Sequence, residues 1–286
     1  MNTSSKINFS FLWRICLIAA LGGLLFGYDY LVIAGAKPFY EAYFGISGEG
    51  NEFWQGFTMS SAVFGCLLGA VISGTLSDQF GRKKLLVLAA VLFTVSAIGT
   101  AIADSLASFN IYRFIGGGGI GLASGLSPMF IAEVSPKHLR GRFVSFNQLT
   151  LVIGILMSQI VNYMIARPVP AGFQVAEIAA SWNGQFGWRW MFGAETVPAA
   201  LFLLFIFFIP ESPRWLVKKG KTILAESILK RIGGADYAHE ELLDIEKTCK
   251  KKLGMCNSTI FSGGRCFRSL HSVFSSLSFS SGAEST

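Results

Sequence analysis

Three charged residues lie deep inside long apolar runs of this sequence, namely Asp29, Arg113 and Glu195. An ionisable side chain inside a membrane span costs roughly 2.5–3.5 kcal/mol on insertion scales, so each one is a candidate functional residue. Each lies about seven residues from the same end of its run, which corresponds to a depth of roughly 10 Å. The sequence therefore predicts one polar cluster shared by three helices. If the apolar runs are shorter than they look, these residues would lie at the membrane interface instead.

A carboxyl group beside an arginine can carry a proton through a conformational change. Burial disfavours its charged form, whereas a nearby guanidinium favours it. Movement of Arg113 relative to Asp29 would therefore switch Asp29 between holding and releasing a proton, as a proton-driven carrier requires. The sequence shows no zinc signature, nucleophile elbow or phosphate-binding loop. It predicts no enzyme, no catalytic residue, no metal and no cofactor.

The elements that must hold these residues are membrane helices. Hydrophobic residues make up 52% of the chain and charged residues only 14%, against about 25% charged in soluble domains. A helix needs about 20 residues to cross the hydrocarbon core. Six apolar runs reach that length, at 11–36, 57–76, 85–103, 106–131, 144–166 and 188–209.

Lysine and arginine fall in alternate connections between these runs. The net charge is +7, but its clustering in short loops indicates membrane topology rather than a nucleic-acid partner. By the positive-inside rule, both ends of this multi-pass chain are predicted to be cytoplasmic, with the spans in the inner (cytoplasmic) membrane. The loops assigned to the cytoplasm carry Arg82, Lys83, Lys84, Lys137, Arg140, Arg142, Arg214, Lys218, Lys219 and Lys221.

Glycines of the fourth run allow two interpretations. Gly116, Gly118 and Gly121 match the dinucleotide-binding pattern GxGxxG, but that pattern requires a preceding strand and an open helix start. Gly117, Gly121 and Gly125 repeat every four residues, which lets membrane helices approach closely. Because the segment is embedded in an apolar run, close helix packing is the favoured interpretation.

The chain changes character after residue 209. Residues 1–10 form a predicted cytoplasmic N-terminus and 11–209 the six-helix bundle. Residues 210–252 form a linker whose amphipathic helix places Leu224, Ile228 and Leu229 on one face. Residues 253–286 are rich in serine and lack periodicity, so we expect them to be disordered.

Six short segments resemble the sugar porter family of the major facilitator superfamily, nearest to its proton-coupled xylose carriers. They are GGLLFGYD at 22–29, GTLSDQFGRK at 74–83, RFIGGG at 113–118, EVSPKHLRGR at 133–142, NQL at 147–149 and PESPRWL at 210–216. The resemblance implies an all-α membrane fold, namely the amino-terminal six helices of twelve, built as two inverted three-helix repeats. It also implies that the partners are a monosaccharide, a proton and membrane lipid.

The resemblance assigns roles to individual residues. Asp29 would be the proton-coupling carboxylate, with Arg113 as its partner and Glu195 beside them. Gln148 and Phe26 would contact the sugar, although a structural hydrogen bond for Gln148 and ordinary core packing for Phe26 are equally compatible with the sequence. A cytoplasmic network that closes the inside would contain Asp78, Arg82, Glu133, Arg140 and Arg142.

One position departs from the xylose carriers. Those proteins have a second glutamine seven residues after the first, where this chain has Ile155, as the facilitative glucose transporters do. The pocket wall is therefore expected to be less polar, and the choice between pentose and hexose stays open. Facilitative members usually have asparagine at the position of Asp29, so the acid favours proton coupling.

The family's second-half motifs do not occur in these residues. We therefore expect a sugar–proton symporter truncated after about residue 252, whose missing carboxyl-terminal half is its required structural partner. The alternative is a non-transporting membrane fragment, an assembly component or a sensor. A half-transporter that dimerises is a third possibility.

Overall fold

The computed structural model describes residues 7–169 and 174–261, and the side chains as far as residue 248. Throughout the described residues the chain is helical or in short turns, without strands. The helices are α1 Phe9–Tyr43, α2 Glu52–Phe80, α3 Arg82–Ala101, α4 Leu106–Val134, α5 Arg140–Ile165, α6 Val175–Ala180, α7 Trp188–Gly193, α8 Thr196–Ile206, α9 Pro213–Lys218 and α10 Thr222–Phe261. A π-helical turn, Asn183–Gly187, precedes α7.

Six helical segments are long and apolar enough to cross a membrane, which confirms the predicted number of spans. Five are α1 to α5, and the sixth runs Asn183–Ile206 through the π-helical turn, α7 and α8. The observed helices exceed the predicted apolar runs at most ends, because polar and aromatic residues continue the helical hydrogen bonding outside the hydrocarbon layer. The α1 helix, with 35 residues, is longer than the roughly 20 residues that a bilayer requires.

Glycines set the contacts between neighbouring helices. A Cβ atom at Gly117 of α4 would overlap with the carbonyl oxygen of Ala62 on α2, and one at Gly121 would overlap with that of Cys66. The same relation holds between α1 and α5, where a Cβ atom at Gly154 would overlap with the Leu24 carbonyl. Backbones this close require residues without side chains. The structure thus confirms the packing interpretation of the α4 glycines, with Gly117 and Gly121 in direct contact with α2.

The linker after the sixth span begins with a capped helix. Ser212 is the N-cap of α9, and its hydroxyl accepts a hydrogen bond from the Trp215 amide at 3.4 Å. Pro213 occupies the first position of α9, where the missing N–H costs no hydrogen bond. The α9 helix packs against α10 and α4.

The predicted amphipathic helix exists, but its buried stripe differs from the prediction. Ala225, Ile228, Leu229 and Ile232 are buried, whereas Leu224 is exposed. Leu224 precedes Ala225 by one residue, and successive helical residues are separated by about 100° around the axis. The prediction was therefore wrong for Leu224.

The α10 helix bends at Gly234, whose φ of 85° is in the region that favours glycine. The helix continues to Phe261, so residues 253–261 are helical rather than disordered. Residues 262–286 lie outside the described residues, and their predicted disorder stays a prediction.

Candidate functional site

An ion pair lies in the interior of the bundle between α1 and α4. Asp29 is 1% exposed and Arg113 is 2% exposed. The Arg113 Nη1 atom donates to the Asp29 Oδ1 atom, and the guanidinium also lies 5.4 Å from the ring centre of Phe192. The second carboxylate oxygen of Asp29 and the Nε atom of Arg113 find no hydrogen-bond partner among the described residues. The pair therefore keeps one acceptor and one donor free.

Glu195 completes the predicted cluster. Its side chain is 3% exposed and lies close enough to Asp29 for a hydrogen bond when one of the two carboxyl groups is protonated. The charge of Arg113 also acts on it. The structure thus brings together the three residues that the sequence singled out, and it places them inside the bundle rather than at an interface. Their role in proton coupling stays a prediction.

Two further side chains adjoin this cluster. The hydroxyl of Tyr28 donates to the Met191 carbonyl at 3.3 Å and lies within electrostatic reach of Glu195. The thiol of Cys66 on α2 lies within electrostatic range of Asp29. Neither residue was predicted to belong to the site, because an uncharged residue in an apolar run gives no signal of its own.

A cavity of about 270 Å³ opens between α1, α4 and α5, with Phe26 and Gln148 in its lining. Their proximity agrees with the predicted sugar contacts. The polar lining also includes Ser124, Ser145 and Asn147, which the sequence analysis did not identify. The Asn147 Oδ1 atom is buried and has no hydrogen-bond partner within the described part of the chain.

Ile155 does not line this cavity. It lies beside Gly27, where α1 and α5 are in contact. A separation of seven residues keeps Gln148 and Ile155 on nearly the same helix face but moves Ile155 roughly 10 Å along the axis. The predicted influence of Ile155 on the cavity wall is therefore not seen here.

Arg82 organises a second polar site at the turn between α2 and α3. Its Nε atom lies 3.1 Å from Glu133 Oε2 on α4, and its Nη1 atom lies 3.1 Å from Asp78 Oδ1 on α2. Gly81 makes the turn possible with a φ of 103°, a value that favours glycine. Arg82 therefore contacts two of the other four residues predicted for the cytoplasmic network, namely Asp78 and Glu133.

The segment after the sixth span extends this site, which we call the Arg82 network. The Glu211 carboxylate accepts hydrogen bonds from the backbone amides of Arg82 and Lys83, both at 3.0 Å. The Ser212 hydroxyl donates to Glu133, and Lys218 Nζ lies 2.8 Å from Asp78 Oδ2. The resemblance pointed to this PESPRWL segment, but only the structure shows what its residues bind.

The two remaining residues predicted for this network, Arg140 and Arg142, differ in their contacts. The Arg140 Nε atom donates to the Ala132 carbonyl at 2.8 Å, which ties the start of α5 to the end of α4. Arg142 is exposed and lines a separate cavity with Trp13. Two residues correspond to about 200° around a helix, so Arg140 and Arg142 point to opposite sides. No hydrogen bond or ion pair joins Arg142 to the Arg82 network among the described residues, and its assignment to that network stays a prediction.

The α10 helix is fixed to the loop between α4 and α5. Lys137 Nζ lies 2.9 Å from Asp244 Oδ2, and the hydrogen bond from Lys137 lowers the pKa of that carboxyl group. Arg214 lies 3.7 Å from Glu241. Burial raises the pKa of the Tyr237 hydroxyl to about 12, so this side chain stays neutral. The linker is thus held by charged groups from both α9 and α10.

Comparison with known proteins places this geometry in a family. The profile of the family described as Sugar (and other) transporter matches residues 15–277. The chain belongs to this family. Its members are membrane transporters rather than enzymes. The match extends past residue 252, after which the sequence was expected to depart from the family.

Relatives of the chain include several named symporters. The D-xylose-proton symporter of Escherichia coli (strain K12) is 41% identical over 268 residues, which cover 86% of this chain and 52% of that protein. The arabinose-proton symporter of Bacillus subtilis (strain 168) is 41% identical over 243 residues, with coverages of 85% and 50%. The chain spans about half the length of these curated relatives.

Solved structures agree with this assignment. The major facilitator superfamily proton:xylose symporter bound to 6-bromo-6-deoxy-D-glucose superposes with a TM-score of 0.80 and 39% identity, covering 90% of this chain and 57% of that one. A partially occluded, inward-open form of the E. coli xylose transporter gives a TM-score of 0.77. The chain therefore has the fold of the amino-terminal half of a major facilitator transporter, as predicted.

Proposed function

We propose that this chain belongs to a proton-coupled monosaccharide transporter and supplies its proton-coupling site. The buried Asp29–Arg113 pair with Glu195 beside it carries this proposal, since two carboxyl groups and one arginine share an interior from which water is largely excluded. The named relatives transport xylose or arabinose together with protons, which supports a sugar as the second partner.

The free atoms of the ion pair indicate where the proton binds. The Asp29 Oδ2 atom has no partner in the described residues, so it can accept a proton while Oδ1 still faces Arg113. Protonation removes the charge that holds the guanidinium. Removing one partner of a buried ion pair costs about 3–5 kcal/mol, so Arg113 must then find another anion. Glu195 is the carboxyl group within reach.

The sugar would bind in the cavity that contains Phe26 and Gln148. The Gln148 amide can donate to and accept from sugar hydroxyl groups, and the Phe26 ring supplies an apolar wall. Gly23 lies between this cavity and the α1–α5 contact. A sugar here would therefore act on α1, the helix that also carries Asp29.

The Arg82 network is proposed to close the transporter on the cytoplasmic side. It joins α2, α4 and the segment after the sixth span through Glu133 and Glu211. These contacts can form and break as rigid groups of helices rock during alternating access. The alternation of basic loops supports a cytoplasmic location for this network and for both ends of the chain, with the bundle in the inner membrane.

A chimera provides the test. Residues 1–252 are joined to the carboxyl-terminal half of the E. coli D-xylose-proton symporter, purified, and reconstituted in liposomes with an imposed pH gradient. Labelled xylose and glucose should accumulate saturably when the outside is acidic. The intact E. coli symporter serves as the positive control. If the control accumulates xylose and the folded chimera transports neither sugar in any gradient, the proposed function is wrong.

The 286 residues alone form the second arm of this experiment. Gln148 and Asn147 are the two amide side chains in the lining of the cavity, and one hydrogen bond contributes about 0.5–1.5 kcal/mol net. Millimolar affinity already corresponds to about 4 kcal/mol, so we expect no saturable uptake. Uptake above that of empty liposomes would show that this chain works without a second half.

A non-transporting role is the alternative. Such a membrane component would keep the fold without moving a sugar. The chimera distinguishes the two, because only a transporter half can restore coupled uptake.

A further inference from the structure

The sixth span loses its regular hydrogen bonding at Glu195. Pro198 has no N–H group, so the carbonyl of Ala194 cannot accept a bond from the residue four positions later. It accepts instead from the Val197 amide at 3.2 Å. The adjoining Glu195 amide donates to Phe192 at 3.1 Å rather than to Met191, its regular helical partner. The carbonyl of Met191 is thereby released from the helical pattern.

Tyr28 supplies the donor that the helix does not. Its hydroxyl donates to the Met191 carbonyl at 3.3 Å, and the whole side chain is buried. A buried carbonyl without a donor is unfavourable, so this bond connects α1 to the break in the sixth span. Tyr28 directly precedes Asp29, and Met191 lies one turn before Glu195. The Tyr28 hydroxyl thus joins the two backbone segments that carry Asp29 and Glu195.

From this geometry we infer that Tyr28 is a positioning residue of the proton-coupling site. It holds the break of the sixth span against α1, and it thereby keeps Glu195 beside the Asp29–Arg113 pair. This inference rests on the proposed function for its biological meaning, but the positioning itself can be measured without transport. If a sugar at Phe26 displaces α1, the hydrogen bond between Tyr28 and Met191 would transmit that displacement to Glu195.

The surroundings of Glu195 contain few other groups that could set its proton affinity. Among the described residues, α1 contributes Tyr28 and Asp29, and α4 contributes Arg113. The α3 helix has no titratable side chain after Lys84. In α5, Tyr163 is exposed. On the sixth span itself, Arg189 is paired with Asp104 at 3.0 Å.

Infrared spectroscopy of the purified chain in lipid nanodiscs tests the inference. The band of the protonated Glu195 carboxyl group is identified by its loss in Glu195→Gln and followed through a pH titration. Tyr28→Phe keeps the ring but removes the donor. It should move the titration midpoint by at least about 0.5 pH unit, a threefold change in proton affinity. Tyr30→Phe, on the exposed side of α1, should leave the midpoint unchanged.

A second variant reaches the same break without touching α1. Pro198→Ala restores an N–H donor to the helix, so the local hydrogen bonding can become regular and the Glu195 midpoint should move as well. Circular dichroism identifies variants that fail to fold. If Tyr28→Phe folds and leaves the Glu195 midpoint in place, the inference is wrong, whatever the transport assay shows. If the midpoint moves but the chimera transports no sugar, the inference holds and the proposed function fails.

Discussion

Replacing Asp29 by asparagine separates sugar binding from proton coupling. The amide has nearly the same shape as the carboxyl group but binds no proton at Oδ2. It also leaves Arg113 without its anion in the interior, where loss of one partner of a buried pair costs about 3–5 kcal/mol. Glu195 lies within reach of the guanidinium and can offset part of that cost. The variant should therefore fold, with lower stability, and should lose the exchangeable proton.

The expected accumulation of sugar follows from the size of the pH gradient. One proton moved through a difference of about one pH unit supplies roughly 1.4 kcal/mol, which is a tenfold accumulation of sugar. The chimera should approach this ratio, whereas its Asp29→Asn form should equilibrate sugar to a ratio near one. Exchange of labelled for unlabelled sugar, which needs no net proton movement, should persist.

The control is Asp104→Asn, because that carboxylate is exposed and pairs with Arg189. It should leave accumulation intact. Accumulation that persists undiminished in Asp29→Asn would refute the role of Asp29 in coupling. Loss of both exchange and accumulation in a folded protein would mean that Asp29 serves the sugar site rather than the proton.

Three further predictions concern packing, the Arg82 network and topology. Gly117→Leu should lower the Tm of the purified chain, since overpacking costs about 1–3 kcal/mol. The control Gly56→Leu should leave the Tm unchanged, because the space around Gly56 is open. Equal Tm values for the two variants would contradict the close α2–α4 contact. Arg82→Ala and Glu133→Gln should be coupled in a double-mutant cycle by about 0.5–3 kcal/mol of unfolding free energy, and strict additivity would show that their contact contributes nothing. Reporters should indicate cytoplasm after Lys84 or Lys219 and the outside near Glu49 or Ala176, and the opposite pattern would overturn the orientation.

The interior charges were the most predictable part of the site. A charged residue in a membrane run is expensive unless it is paired, and the pairing partners had to lie at a similar depth on neighbouring helices. Asp29, Arg113 and Glu195 satisfy this condition, so counting residues from the ends of the runs brought them together. The α4 glycines were predictable for a related reason, because four-residue spacing creates one smooth helix face.

Helix geometry explains why two predicted site residues lie apart from the residues that they were expected to join. Ile155 shares the helix face of Gln148 but lies about 10 Å further along α5, and Arg142 lies on the helix face opposite to Arg140. Both assignments came from a family motif read as a set of roles, without the rotation of about 100° and the rise of 1.5 Å per residue. Glu211 was missed for a different reason, since a carboxylate in a polar loop looks like any solvated group until the amides that it binds are seen.

The break in the sixth span shows what sequence and structure each contribute. Pro198 is visible in the sequence and predicts an interrupted helix, but the sequence does not say which atom replaces the lost donor. The structure shows that the released Met191 carbonyl is bound by α1, so the irregular backbone is turned towards the carboxyl groups rather than towards lipid. An unpaired backbone group facing hydrocarbon would be costly. The break can therefore persist only where a neighbouring helix supplies a donor.

The burial of the spans likewise reflects the cost of exposing polar groups to hydrocarbon. The most apolar windows of α2 and α5 are each 22% buried, compared with 61% for α4 and 44% for α1. Asp29, Arg113 and Glu195 lie on α1, α4 and the sixth span, whereas α2 and α5 pack against α4 and α1 through glycines and expose large apolar side chains. A charge on the outer face of α2 would cost roughly 2.5–3.5 kcal/mol on insertion scales. The division of charged and apolar residues among the helices thus keeps these three ionisable groups in the interior of the bundle, which is where the proposed proton coupling requires them.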